Sequence, residues 1–168
     1  MHIRDATGED LPAILAIYND VVTNTTAIYD EHPSTLEERR AWFDARRKRG
    51  LPILVADVEG ATVGFSSFGE WRARWGYRYT VEHSVHVRAD CRGRGLGRAL
   101  IEALFPRASA MGMHTMIAHI DSAAAASLRL HEKLGFRRIG TFHEVGKLRT
   151  GWLSVVAMQR DVDQAPGP

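Results

Sequence analysis

The chain has 168 residues, 45% hydrophobic and 25% charged, the balance of one ordinary globular domain, which excludes collagen, a coiled coil and a disordered chain. Twenty-two Lys and Arg against 20 Asp and Glu leave a formal charge of +2, too small a surplus to indicate nucleic acid or an anionic membrane as partner. A lone cysteine, Cys91, excludes an internal disulfide, the charged start MHIRDATGED is no signal-peptide core, and no apolar run approaches the roughly 20 residues that cross a bilayer, so a cytoplasmic location is expected.

Ile3 to Ala6 reads as a strand, and Thr7 offers a hydroxyl cap to a helix with Leu11, Ile14, Leu15, Tyr18, Val21 and Val22 on one face. Ser34 and Glu37 fit a capping box for a second helix through Trp42 and Phe43 that stops near Gly50. LPILVADVEGATVGFSSFGEW carries two β-rich runs with Glu59-Gly60 in the turn between them, a hairpin signal. In the next strand, TVEHSVHVR, Val81, His83, Val85 and Val87 share one face, and Glu82, Ser84 and His86 share the other.

A helix follows CRGRGLGR, with Leu96, Leu100, Ala103 and Leu104 inward and a kink expected at Pro106, which has no N–H for the Glu102 carbonyl. HTMIAHI is a strand, SAAAASLRLHEKL a helix ended by Gly135, and FRRIGTFHEVG with WLSVVAMQR a closing antiparallel pair. The order β-α-α-β-β-β-α-β-α-β-β predicts one mixed α/β domain over residues 1–160, with a disordered tail, 161–168.

Eight histidines raise the question of a metal, but His131-Glu132 and His143-Glu144 lack the second His of the zinc protease pattern, and no metal is expected. The glycine stretch is no nucleoside triphosphate loop, because Arg98-Ala99 follows Gly97 where Lys-Ser/Thr is needed. It also misses the dinucleotide fingerprint, since Arg98 stands at the third glycine position. What remains is a turn whose backbone N–H groups converge at a helix start, small enough for a phosphate to approach, with Arg92, Arg94 and Arg98 around it. Upstream, WRARWGYRY packs three arginines among four aromatics. Arg72 and Arg74, flanking Ala73, suit a fork onto a carboxylate or phosphinate, with base stacking on single-stranded nucleic acid as the rival reading.

Arg92-x-x-Gly95-x-Gly97 directly behind VEHSVHV resembles the acetyl-CoA motif of the GNAT N-acetyltransferase superfamily, and SLRLHEKLGF resembles its following helix. IRDAT, AIYNDVVTNTTAIYDE, TVEHSVHV, LHEKLGF and TFHEVGK further resemble the phosphinothricin and methionine sulfoximine acetyltransferases, over residues 3 to about 160. The resemblance implies the GNAT fold: a mixed, mostly antiparallel twisted sheet with helices on both faces, splayed between the fourth and fifth strands. It implies acetyl-CoA as co-substrate, the backbone of Val85, His86 and Val87 against its pantetheine arm, and Gly93, Arg94, Gly95, Leu96, Gly97 and Arg98 with Arg92 at its pyrophosphate.

Lys133 falls near further cofactor contacts, and Ala124 stands where the family usually carries a cofactor-contacting Asn. Glu82 matches the family's proposed base, which takes the proton of a small amino-acid-like amine. His83 is either a substrate contact, a second base through water or a core histidine, and His131 either protonates the leaving thiolate or packs against the cofactor. The implied reaction is direct acetyl transfer to that α-amine in a ternary complex, in a homodimer. The rivals are acetylation of a protein amino terminus or another amine, and a non-catalytic acyl-CoA sensor.

Overall fold

Alternation and capping account for the elements in chain order. The computed structural model describes residues 1–162. β1 (His2–Asp5) leads to Thr7, whose hydroxyl caps a 3₁₀ turn while the Asp10 carboxylate returns to the Thr7 N–H at 2.8 Å, a closed capping box. α1 (Leu11–Asn24) then buries Leu11, Ile14, Ile17, Val21 and Val22 at helical spacing. α2 (Leu36–Lys48) is capped by Thr35 with Glu38, one residue later than the expected Ser34 and Glu37. Ser34 is instead tied to Asn19 by a pair of bonds, its N–H donating at 2.8 Å and its carbonyl accepting at 2.9 Å.

β2 (Ile53–Val58) and β3 (Ala61–Glu70) form the expected hairpin. Glu59 at φ 54° and Gly60 at φ 83° make a two-residue turn with both φ values positive, which matches the twist of the flanking strands. β4 (Thr80–Val87), α3 (Leu96–Glu102), α4 (Leu104–Ala110), β5 (Thr115–Asp121), α5 (Ala125–Lys133), β6 (Arg137–Leu148) and β7 (Gly151–Asp161) follow. Where one kinked helix was expected, the first ends at Glu102, whose carbonyl Pro106 cannot serve, and the second starts at Leu104.

The chain divides into two compact units, Met1–Phe68 with Ser84–Leu104, and Gly69–His83 with the segment from Phe105 onward. In the first, β1 pairs antiparallel with β2 and β2 with β3. Ile53, Val55 and Phe65 pack with Leu11, Ile14, Ile17 and Phe43 of α1 and α2. On the other face, the Ser66 hydroxyl donates to the Leu100 carbonyl of α3 at 3.1 Å, so helices cover both sides here.

In the second unit, the first half of β4 pairs parallel with β5 from Thr80↔Thr115 to Glu82↔Ile117, a short ladder of the kind the expected splay requires. β5 pairs antiparallel with β7, and β7 with β6. The tail expectation needs correction at its start: Asp161 closes β7, and Val162 is buried with its N–H on the His114 carbonyl at 2.8 Å. The rest of that expected tail, 163–168, lies outside the described residues. No helix among the described residues is long and apolar enough to cross a membrane.

Candidate active site

In the first unit, the second half of β4 runs through Val85, His86 and Val87 into the glycine turn. Gly93 and Gly95 hold φ of 76° and 80°, a region that side-chain-bearing residues rarely adopt, and a Cβ on either would point into open space. Gly95 is the N-cap of α3 and offers no side chain to its first N–H groups, a helix start of the kind that can take an anion. Leu96 and Gly97 lie inside the first turn of α3, so Gly97 serves as a helical residue rather than a turn glycine.

The arginines around this turn are partly engaged. Arg92 donates from Nε to the Val87 carbonyl at 3.0 Å and stands 3.7 Å from Asp20, while Arg98 pairs with Glu102 at 2.9 Å, one helical turn on. Arg94 is exposed. The His86 side chain turns away from a ligand role. Its ring packs on Tyr18 and Phe65 at centroid distances of 6.4 and 5.2 Å, and burial, then the charges of Arg39 and Arg92, push its pKa down to about 4. Gly64 lets this strand sit close: a Cβ there would lie 3.0 Å from the His86 carbonyl oxygen and 3.1 Å from Leu100 Cδ1.

The second unit carries two pairs of titratable residues on opposite faces of β4. Glu82 Oε1 accepts from His119 Nδ1 at 2.9 Å, with side chains 37% and 30% exposed. That hydrogen bond, against the opposing pull of burial, raises the His119 pKa above its ordinary value. The sequence marks His119 only as part of a strand, and the available signal is an ionisable residue in an otherwise apolar run, exposed between the buried Ala118 and Ile120.

His83 and His131 form the second pair, 7% and 2% exposed, with rings stacked at 5.1 Å and Nε2 to Nε2 at 3.2 Å. The Ser127 carbonyl lies 2.8 Å from His131 Nδ1 and can only accept, so Nδ1 carries the hydrogen. In the neutral ring Nε2 is then a lone pair, and His83 Nε2–H must donate to it. Burial lowers the His131 pKa, with the Ser127 bond partly offsetting it. The edge of Phe136 closes over His131 at 5.1 Å.

The aromatic segment packs on itself. Trp71 and Tyr77 meet edge to face at 5.1 Å, Arg72 lies 4.8 Å over Trp71, and Arg78 sits 4.5 and 4.3 Å over Trp75 and Tyr79. Ala73 and Arg74 are exposed, as is Lys133 at the end of α5. Ala124 is the N-cap of α5 and gives it no side-chain bond, while the Asp121 carboxylate accepts from the Ala123 N–H at 2.9 Å.

Known proteins share the sequence and the fold of this chain over nearly its whole length. A methionine sulfoximine/methionine sulfone acetyltransferase of Pseudomonas paraeruginosa is 54% identical over 96% of this chain and 94% of its own length. The crystal structure of a GNAT superfamily phosphinothricin acetyltransferase from Sinorhizobium meliloti in complex with acetyl-CoA superposes with a TM-score of 0.92 at 37% identity, covering 95% of this chain and 87% of that one. That of a ribosomal-protein-alanine N-acetyltransferase from Brucella melitensis gives 0.94 at 43% identity, covering 96% and 99%. Residues 14–136 match the acetyltransferase (GNAT) family, so both the mixed α/β fold and the enzyme class are those of that family, and the chain belongs to the GNAT acetyltransferases.

Proposed function

We propose that the protein is an acetyl-CoA-dependent N-acetyltransferase acting on the α-amine of a small amino-acid-like substrate of the methionine sulfoximine, methionine sulfone or phosphinothricin type, by direct transfer in a ternary complex. The observation that carries this reading is Glu82, a half-exposed carboxylate held at one oxygen on the strand that leads into the glycine turn. Bound acetyl-CoA supplies an acetyl thioester. The open positive-φ turn at Gly93 and Gly95 and the uncapped start of α3 fit its pyrophosphate, and the backbone of Val85–Val87 its pantetheine arm.

Glu82 takes the proton of the substrate ammonium, leaving a lone pair on nitrogen for attack. A backbone N–H of the Val85–Val87 stretch meets the oxygen on which charge develops. Arg72 and Arg74 receive the substrate's anionic group. Ala124 and Lys133 border the cofactor from α5, while His83 and His131 back the strand from the face opposite Glu82. The described part of the chain supports two further expectations. Ile139, Phe142 and Val145 on β6 and Trp152 on β7 are each more than half exposed, large apolar side chains suited to a homodimer contact. The single buried free thiol suits the cytoplasm.

Thiol release from acetyl-CoA tests the reading, with phosphinothricin, methionine sulfoximine, methionine sulfone and an alanine-terminated peptide as amines. Glu82→Gln is expected to lower kcat by about 10²–10⁴-fold with acetyl-CoA affinity retained. Full turnover by this variant near neutral pH would remove Glu82 as the base. The likeness to the ribosomal-protein-alanine N-acetyltransferase favours a second reading, transfer to a protein amino terminus, and preference for the peptide would establish it. Tight acetyl-CoA binding with no thiol release from any amine would indicate a sensor.

A further inference from the structure

We propose that His119 is the positioning residue of the base: its Nδ1–H, 2.9 Å from Glu82 Oε1, fixes the carboxylate so that one oxygen is held and the other faces the amine. The inference rests on Glu82 being the base. A glutamate alone on a half-exposed strand position samples several rotamers, and fixing it removes that side-chain entropy before the reaction starts. His119 is itself fixed. It sits opposite Ala157 of β7 in register, and the Phe142 ring of β6 lies 6.4 Å from its own. The charged groups that act on it are Glu82 from β4 and Arg72 from the segment before that strand.

The pair also sets a direction of pH dependence. Hydrogen bonding to Glu82 raises the His119 pKa above 6.5, and Arg72 opposes the rise. Below the raised value the ring is an imidazolium, a positive charge 2.9 Å from Oε1 that repels the incoming substrate ammonium. Above it the neutral ring still donates from Nδ1, and the full negative charge of Glu82 is available. The proton moves from the amine nitrogen to the second oxygen of Glu82; no bond to the imidazole changes. Turnover therefore rises with pH through the titration of His119.

The test is kcat at saturating acetyl-CoA and methionine sulfoximine over about pH 5.5–9.5 for wild type, His119→Asn, His119→Phe and Glu82→Gln. The Asn amide nitrogen stands where Nδ1 stood, so it keeps the bond but cannot titrate. His119→Phe is expected to lose about 10–100-fold in kcat with acetyl-CoA affinity unchanged. His119→Asn should recover at least about fivefold of that loss and shift the acidic limb to lower pH, a change that loss of packing alone would not cause. Wild-type kcat in His119→Phe, or an acidic limb in His119→Asn superimposable on wild type, would overturn the proposal. A dead Glu82→Gln beside normal His119 variants sinks this inference alone, whereas an active Glu82→Gln sinks the base reading beneath it.

Discussion

Two glycines in the first unit separate backbone strain from ligand contact. Gly60, in the β2–β3 turn, and Gly95, at the start of α3, hold nearly the same φ, 83° and 80°, and a Cβ on either meets nothing within 4 Å. Alanine at each position therefore costs the left-handed strain, about 1–2 kcal/mol, and no clash. For a chain of this size that lowers Tm by about 2–8 °C, the same in both variants. On the proposed reading, only Gly95→Ala places a methyl group where the pyrophosphate approaches the backbone. Losing one charge-assisted hydrogen bond costs about 1.5–3 kcal/mol, so its affinity for coenzyme A should fall roughly 10–100-fold while Gly60→Ala binds as wild type. Thermal melts and titration calorimetry read both quantities. Equal Tm losses with wild-type affinity in Gly95→Ala would refute the assignment of this turn to the pyrophosphate.

Two other perturbations test the frame of the site. Gly64→Ala drives a Cβ to 3.0 Å from the His86 carbonyl oxygen, which cannot rotate aside as Leu100 can, so about 2 kcal/mol of overpacking and a Tm lower by about 4–8 °C are expected. An unchanged melt would mean that β4 yields at no cost. Asp10 is 5% exposed and bound by Arg4 at 2.8 and 2.9 Å, by Thr62 at 2.6 Å and by the Thr7 N–H. Burial alone would raise its pKa, but these bonds outweigh it and hold the carboxyl well below the ordinary range. Its stabilisation is then fully present above the unfolded value near about pH 4 and is lost as pH falls below it. Asp10→Asn should cost about 2–3 kcal/mol in urea unfolding at pH 7, with the gap to wild type narrowing by pH 3; a constant gap would contradict the linkage.

How much of this was legible in the sequence depended on the range of each interaction. The glycine turn announces itself, because positive φ has few local solutions, and the alternation of TVEHSVHV correctly set Glu82 and His83 on opposite faces. The α2 cap slipped by one residue because the Ser34 backbone is taken by Asn19, 15 residues away, which no local pattern contains. His119 meets Glu82 only through the parallel register of β4 on β5, 37 residues apart in the chain. Charge near glycines marks Arg92 and Arg98 as phosphate ligands in the sequence, while the partners they take here, Val87 and Glu102, are set by the strand end and the helix turn, which that pattern does not contain.

The two pairs of the second unit differ in what they can do with a proton, and this bears on His131. Glu82 and His119 are about a third exposed and exchange with water, whereas His83 and His131 are enclosed and, with Nδ1 of His131 committed to Ser127, share a single hydrogen between their Nε2 atoms. For His131 to protonate a departing thiolate, the buried pair must first take up an extra proton, which burial disfavours by lowering the His131 pKa. A thiol of ordinary pKa, about 8.5, leaves as a thiolate that water can protonate near neutrality, so the reaction places little demand on an enzymic acid. On the proposed reading, His131 then acts by holding His83 and closing the apolar side of the site with Phe136, and kcat shows an acidic limb alone. An obligate acid of lowered pKa would instead cut the rate as pH rises through the range below about 6.5. An alkaline limb there in the wild-type profile would return the acid role to His131.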